Sequence, residues 1–94
     1  MAFMISHFFE GGTEEQYRAV LAAAHAGGAL PAGQTYHAAG PTEGGWLIVA
    51  VWDKQASFDT FVSDTLMPAL QSTDNGFTNP PQQRTAEVAN LVTA

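Results

Sequence analysis

The chain predicts a two-layer α+β fold, four antiparallel strands with two helices on one face, in the order β-α-β-β-α-β. Three observations lead there. Two strand-like runs flank a glycine-rich turn in "AGQTYHAAGPTEGGWLIVAVWD", residues 32–53. A capped amphipathic helix precedes them and an aromatic-bearing helix follows. An apolar strand-like run opens the chain, and an alternating one lies near its end.

Residues 2–9 are apolar and aromatic apart from Ser6 and His7, and "EGGT" ends the run, so it reads as a central strand buried on both faces. "TEEQYRAVLAAAHA" opens with Thr13 as N-cap and Gln16 three places on, a capping box, with Glu14 and Glu15 in the first turn. Tyr17, Val20, Leu21 and Ala24 form one apolar stripe. "GGALPAG", residues 27–33, stops the helix and reads as a mobile lid.

In the hairpin, the turn spans Gly40 to Gly45. "WLIVAVW" puts Trp46, Ile48, Ala50 and Trp52 on one face and Leu47, Val49 and Val51 on the other. Asp53 is the candidate N-cap for "KQASFDTFVSDTLMPAL", where Phe58, Phe61, Val62 and Leu66 have helical spacing. Pro68 should kink or end that helix near Met67, with a short turn resuming through Leu70. "QSTDNGFTNPPQQ" is loop by composition, and "RTAEVANLV", Arg84 to Val92, reads as the last strand, with Ala86, Val88, Asn90 and Val92 on one side. The whole, residues 1–94, is one ferredoxin-like domain with one sheet face uncovered.

Composition narrows the function. With 46% hydrophobic and 13% charged residues, the chain carries more apolar surface than a lone small domain hides, so a homodimer joined through the open faces is expected. The net charge of −6 disfavours nucleic acid. No apolar run is long enough to span a bilayer, and "MAFMISHFFE" lacks the features of a leader, so no membrane association and a cytoplasmic location are expected. With no cysteine, chemistry falls to His, Tyr, Trp and carboxylates.

The pattern "VAVWD", then "ASFDTFV", then "LMPAL" and a final strand resembles the dimeric α/β-barrel superfamily, and within it the small antibiotic-biosynthesis-monooxygenase-like domains. Trp52, Asp53, Phe58 and Phe61 carry its most specific part, a tryptophan closing the third strand before a polar cap and an aromatic helix. The resemblance implies two sheets facing each other across a dimer and a cavity between sheet and helices. It also implies an activity drawn from cofactor-free aromatic monooxygenases, haem-degrading enzymes, polyketide cyclases or lactone isomerases. Haem is discounted, because residues 2–10 contain no Asn and residues 53–72 no His.

Six residues are candidates for the site. His7, in an apolar strand, should be neutral near pH 7 and able to act as a general base. The alternative is a core histidine satisfied by one hydrogen bond. If Ala39 pairs with Trp46, His37 pairs with Ile48 and shares a face with Thr35, Trp46, Ala50 and Trp52, while Tyr36 points the other way. Trp52 is the expected wall for a flat ligand, with Trp46, Tyr36 and Phe9 as further substrate contacts. His25, at a helix end, reads as structural. The histidines show no metal spacing, and neither metal nor cofactor is expected.

The leading expectation is a small-molecule-binding protein acting as a cofactor-independent monooxygenase on an apolar, aromatic or phenolic metabolite, with His7 or His37 as base and Trp52 holding the ring. The alternatives are a polyketide cyclase or isomerase using His7 as base, and a non-catalytic binding or dimerisation module.

Overall fold

A computed structural model describes residues 2–25, 29–72 and 75–93. Its elements are β1 (Phe3–Glu10), α1 (Glu14–Ala24), β2 (Gln34–Thr42), β3 (Gly45–Trp52), α2 (Gln55–Phe61), a π-helical turn (Val62–Leu66), α3 (Met67–Ser72) and β4 (Gln82–Glu87). The strands form one antiparallel sheet in the order β2-β3-β1-β4. The ferredoxin-like arrangement expected from the sequence is therefore present, with β1 central.

Alternation along β1 and β3 builds the core face. Phe3 pairs with Trp52, Ile5 with Ala50, His7 with Ile48 and Phe9 with Trp46. Phe3, Ile5, Ala50 and Trp52 form one buried cluster capped by Phe58 and Phe61. Phe9, Tyr17 and Trp46 form a second, with Leu21, Ile48 and Phe77 packed on it. His7 lies between Ile5 and Phe9 on the same face of β1, at the junction of the two clusters. On the other face Met4, Tyr36 and Val49 stay exposed, so in a single chain β1 is buried on one side only.

The capping box forms as expected: the Gln16 backbone N–H donates to Thr13 Oγ1 and the Thr13 N–H to Gln16 Oε1. Three details depart from expectation. Lys54, not Asp53, is the N-cap of α2, and no side chain caps it. Of the kink or stop expected near Met67, the stop does not occur: a π turn interrupts the α-helix just before Pro68, with the Met67 N–H reaching back to the Val62 carbonyl, and the helix resumes over Met67–Ser72. The last strand is shifted toward the N-terminus: Gln82 and Gln83 belong to it, and it ends at Glu87 rather than Val92.

Residues 26–28 lie outside the described residues, and with them part of the segment expected to act as a lid. Its far end is fixed: Gly33 has φ +88°, and a Cβ there would meet the Ser57 side chain at 2.6 Å. Only glycine fits this approach of β2 to α2.

Candidate functional site

Between the core face of the sheet and the helices lies a cavity of about 280 Å³. It exceeds the ~150 Å³ of an engineered apolar cavity that holds benzene. Its walls are mostly rings and aliphatic side chains, from Phe9 and Trp52 on the sheet to Phe58, Phe61 and Leu66 on the helical layer. Among the described residues, polar groups reach it at two histidine-centred places, one on each side of β3, and at Gln34.

The first is His7. Its ring lies 6.1 Å from Phe58 and 6.5 Å from Phe9, and Trp52 lies 5.6 Å from the same Phe58. Gln83, its partner across the β1–β4 ladder, donates from Nε2 to His7 Nδ1 at 3.1 Å. An amide nitrogen can only donate, so the neutral imidazole carries its proton on Nε2. Burial, reinforced by the nearby His37, lowers the His7 pKa to about 4.

The second is a cluster of three side chains from α1 and β2. Tyr17 Oη and His37 Nε2 are 2.7 Å apart, and the His25 ring stands edge-on to His37 at 5.2 Å. His25 also meets Phe61 edge-on at 6.0 Å. Burial lowers the pKa of both histidines, with His25 adding to the effect on His37, and burial raises that of Tyr17 against the pull of Arg18. Both histidines are thus neutral and Tyr17 a phenol near pH 7.

The register explains how His37 comes to face the cavity. Ala39 pairs with Ile48 and His37 with Ala50, two residues from the expected pairing. A shift of two conserves the face, so His37 shares the side of Trp46, Ala50 and Trp52. Opposite the small Ala50 it has room to reach the cavity. Thr35 does not share that face, because a bulge between Gln34 and Tyr36 turns Gln34 inward. Gln34 is 9% exposed and lines the cavity, while Thr35 is exposed and donates its hydroxyl to the Val51 carbonyl.

Of the six candidates, His7, His37, Trp52 and Phe9 line the one cavity. Trp46 does not; it is buried behind Tyr17, ring centroids 5.2 Å apart. Tyr36 is 46% exposed on the opposite face, where the parity argument puts it. Sequence reasoning misses four polar lining residues. It marks Tyr17 only as part of an apolar stripe and His25 as a helix-end charge, and Gln34 and Gln83 carry no signal. Phe77, from a segment that is loop by composition, stacks on Phe9 at 3.8 Å and closes that end.

The lowered histidine pKa values make stability depend on pH. In the folded chain these imidazoles bind protons less readily than in the unfolded chain, so between pH 6.5 and about 4 the unfolded state holds more protons. Their contribution is complete above pH 6.5 and is lost as pH falls through that window. His7 alone should cost about 2 kcal/mol between pH 7 and pH 5. Urea unfolding at both pH values checks this, and a His7→Leu chain should show a visibly smaller loss.

No family profile matches the chain, and no curated protein matches it in sequence. Solved structures do. Rv0793 of Mycobacterium tuberculosis superposes with a TM-score of 0.73 at 11% identity, over 99% of this chain and 100% of that one. A Chloroflexus aurantiacus protein assigned as an antibiotic biosynthesis monooxygenase gives 0.71 at 9%, over 99% and 98%. A mutant form of SnoaB, a cofactor-independent oxygenase of Streptomyces nogalater, gives 0.66 at 14%, over 99% and 97%. Over 99% of its length, then, the chain has the same ferredoxin-like fold as these three structures.

Proposed function

We propose that the chain is a cofactor-independent monooxygenase that oxidises a flat phenolic molecule in the cavity between sheet and helices. The observation that carries this reading is an aromatic-walled cavity with neutral histidines in its walls on either side of β3. Its resemblance to monooxygenase-like and oxygenase structures supports the same class.

His7 and His37 have different roles in this proposal. His7 keeps its proton on the nitrogen free of Gln83, so it is a hydrogen-bond donor rather than a base. His37 is the base in this proposal, in the tautomer that donates Nε2–H to Tyr17 Oη: its buried Nδ1, which has no protein partner among the described residues, is then the acceptor. β1 and β2 are separated by β3, so their strands lie about 10 Å apart, and His7 (opposite Ile48) and His37 (opposite Ala50) stand on different rungs, leaving room for a ring between them.

The reaction balances without a cofactor. His37 takes the phenolic proton, and the electron-rich ring reduces oxygen directly. A C–O bond forms at the para carbon, giving a hydroperoxide stabilised by His7 Nε2–H. Loss of the para hydrogen and cleavage of the O–O bond release water and leave a quinone. Phenol and oxygen thus become quinone and water, all four electrons coming from the substrate. A cyclase using His7 as base fits less well, because Gln83 occupies the nitrogen that would accept the proton. The test is oxygen uptake with naphthols that carry hydrogen at the para carbon, matched one-to-one to quinone formed and with no hydrogen peroxide released; uptake no faster than without protein rejects the reading.

The proposal includes a homodimer joined through the open sheet face. Met4, Tyr36 and Val49 are 40%, 46% and 43% exposed there, and the central strands supply Leu47 and Val51 beside them. Val49 lies between Ser6 and Ala38 on the neighbouring strands, near the middle of the patch. Light scattering should give about twice the chain mass of 10.0 kDa, and Val49→Arg should give the single mass. A monomeric unaltered chain would remove the dimer from the proposal.

A further inference from the structure

We infer that Gln34 reads a second oxygen substituent on the aromatic ligand, so that the site selects rings carrying a free hydroxyl besides the phenol that reacts. The inference rests on the proposed aromatic ligand in the cavity, though not on its oxidation. It begins with an unpaired atom. Gln34 Oε1 is buried without a protein partner among the described residues, in a side chain that lines the cavity. Leaving such an acceptor unpaired is costly, and an apolar residue of similar shape would avoid the cost.

The backbone supports the inference. Regular alternation from Tyr36 would turn Thr35 to the core and Gln34 to solvent; the bulge between Gln34 and Tyr36 reverses both. Bulges of this kind re-aim side chains beside sites, and this one buries an amide.

A neighbouring group completes the pattern. Gln34 pairs with Trp52 across the ladder, and Trp52 Nε1 is likewise buried without a protein partner among the described residues. Two cavity-lining residues paired across the ladder thus hold an unpaired acceptor and an unpaired donor among the described residues, complementary to a hydroxyl that donates to Gln34 Oε1 and accepts from Trp52 Nε1. A deprotonated oxygen would not suit the amide oxygen. The oxygen read here is thus a different one from that whose proton His37 removes, and the ligand class is an aromatic ring with at least two oxygen substituents. Trp46 Nε1 is also without a partner among the described residues, but Trp46 does not line the cavity and has no part in this.

The test compares 1,5-dihydroxynaphthalene with 5-methoxy-1-naphthol, which keep one phenol and differ in the second hydroxyl proton. Calorimetry without oxygen should show the dihydroxy compound binding the unaltered chain about tenfold more tightly. In Gln34→Leu the preference should fall to near one, through lost affinity for the dihydroxy compound alone, with the melting temperature unchanged or higher. Equal binding by the unaltered chain overturns the inference, as does failure of both compounds to bind. A preference that survives Gln34→Leu also overturns it, since the methyl group's bulk would then be the cause. If the preference behaves as expected while no oxygen is consumed, the oxidation is rejected and the reading by Gln34 stands.

Discussion

Replacing His37 by Phe is expected to lower kcat for phenol oxidation by about 10²–10⁴-fold, the contribution of a positioned general base. The substitution strands Tyr17 Oη, which bonds His37 Nε2 in a buried setting, so the single variant should also lose about 1–3 kcal/mol of stability. Tyr17→Phe combined with His37→Phe removes both polar groups and should recover most of that loss while staying inactive. This separates the chemistry from the fold. Tyr17→Phe alone is the test of positioning: it leaves the base but frees its tautomer, so kcat should fall by about tenfold, less than for His37→Phe. In the unaltered protein the acid limb of kcat/KM should lie below pH 6.5, because burial and His25 hold the His37 pKa under that value. If His7→Phe abolished turnover and His37→Phe spared it, the two roles would be reversed.

The fold is legible in the sequence because its signals are local. A capping box, a 3.6-residue stripe on α1 and the unbroken apolar run of β3 each depend on a few neighbouring residues, and all three appear in the structure as capped helix and strand. The face of His37 is legible for a subtler reason: the true pairing differs from the expected one by two residues, and parity survives an even shift. What stays hidden depends on contacts across the chain. "AEVANLV" alternates better than "QQRTAE" and so draws the expected last strand toward the C-terminus, yet the latter segment pairs with β1, from Phe8↔Gln82 to Phe3↔Glu87. An edge strand with exposed side chains needs no apolar period. The bulge that turns Gln34 inward has no sequence mark, since neither Thr35 nor Tyr36 is glycine. His25 shows in the sequence only its place at the end of α1, and the packing of α1 over β2 is what brings it to His37.

Trp52→Ala should be the most destabilising single change, by about 3–5 kcal/mol. Trp52 is 1% exposed, and its ring packs on Phe58 at 5.6 Å and Phe61 at 5.3 Å, joining β3 to α2. For a domain of 94 residues the whole stability is roughly 5–14 kcal/mol, so this change removes a large part of it. Trp52→Phe keeps a ring against the same partners and should restore more than half of the loss. The two variants separate the roles assigned to one side chain: its area holds the layers together, and its indole N–H, buried without a protein partner among the described residues, is the donor proposed for the ligand. Urea midpoints should therefore rank unaltered chain, Phe, Ala, whereas affinity for a dihydroxynaphthalene should fall for Phe and Ala alike. A loss under about 1 kcal/mol in Trp52→Ala would show that the helices close over the gap, and the cavity would then owe its shape to Phe58 and Phe61 rather than to the strand that ends in Trp52.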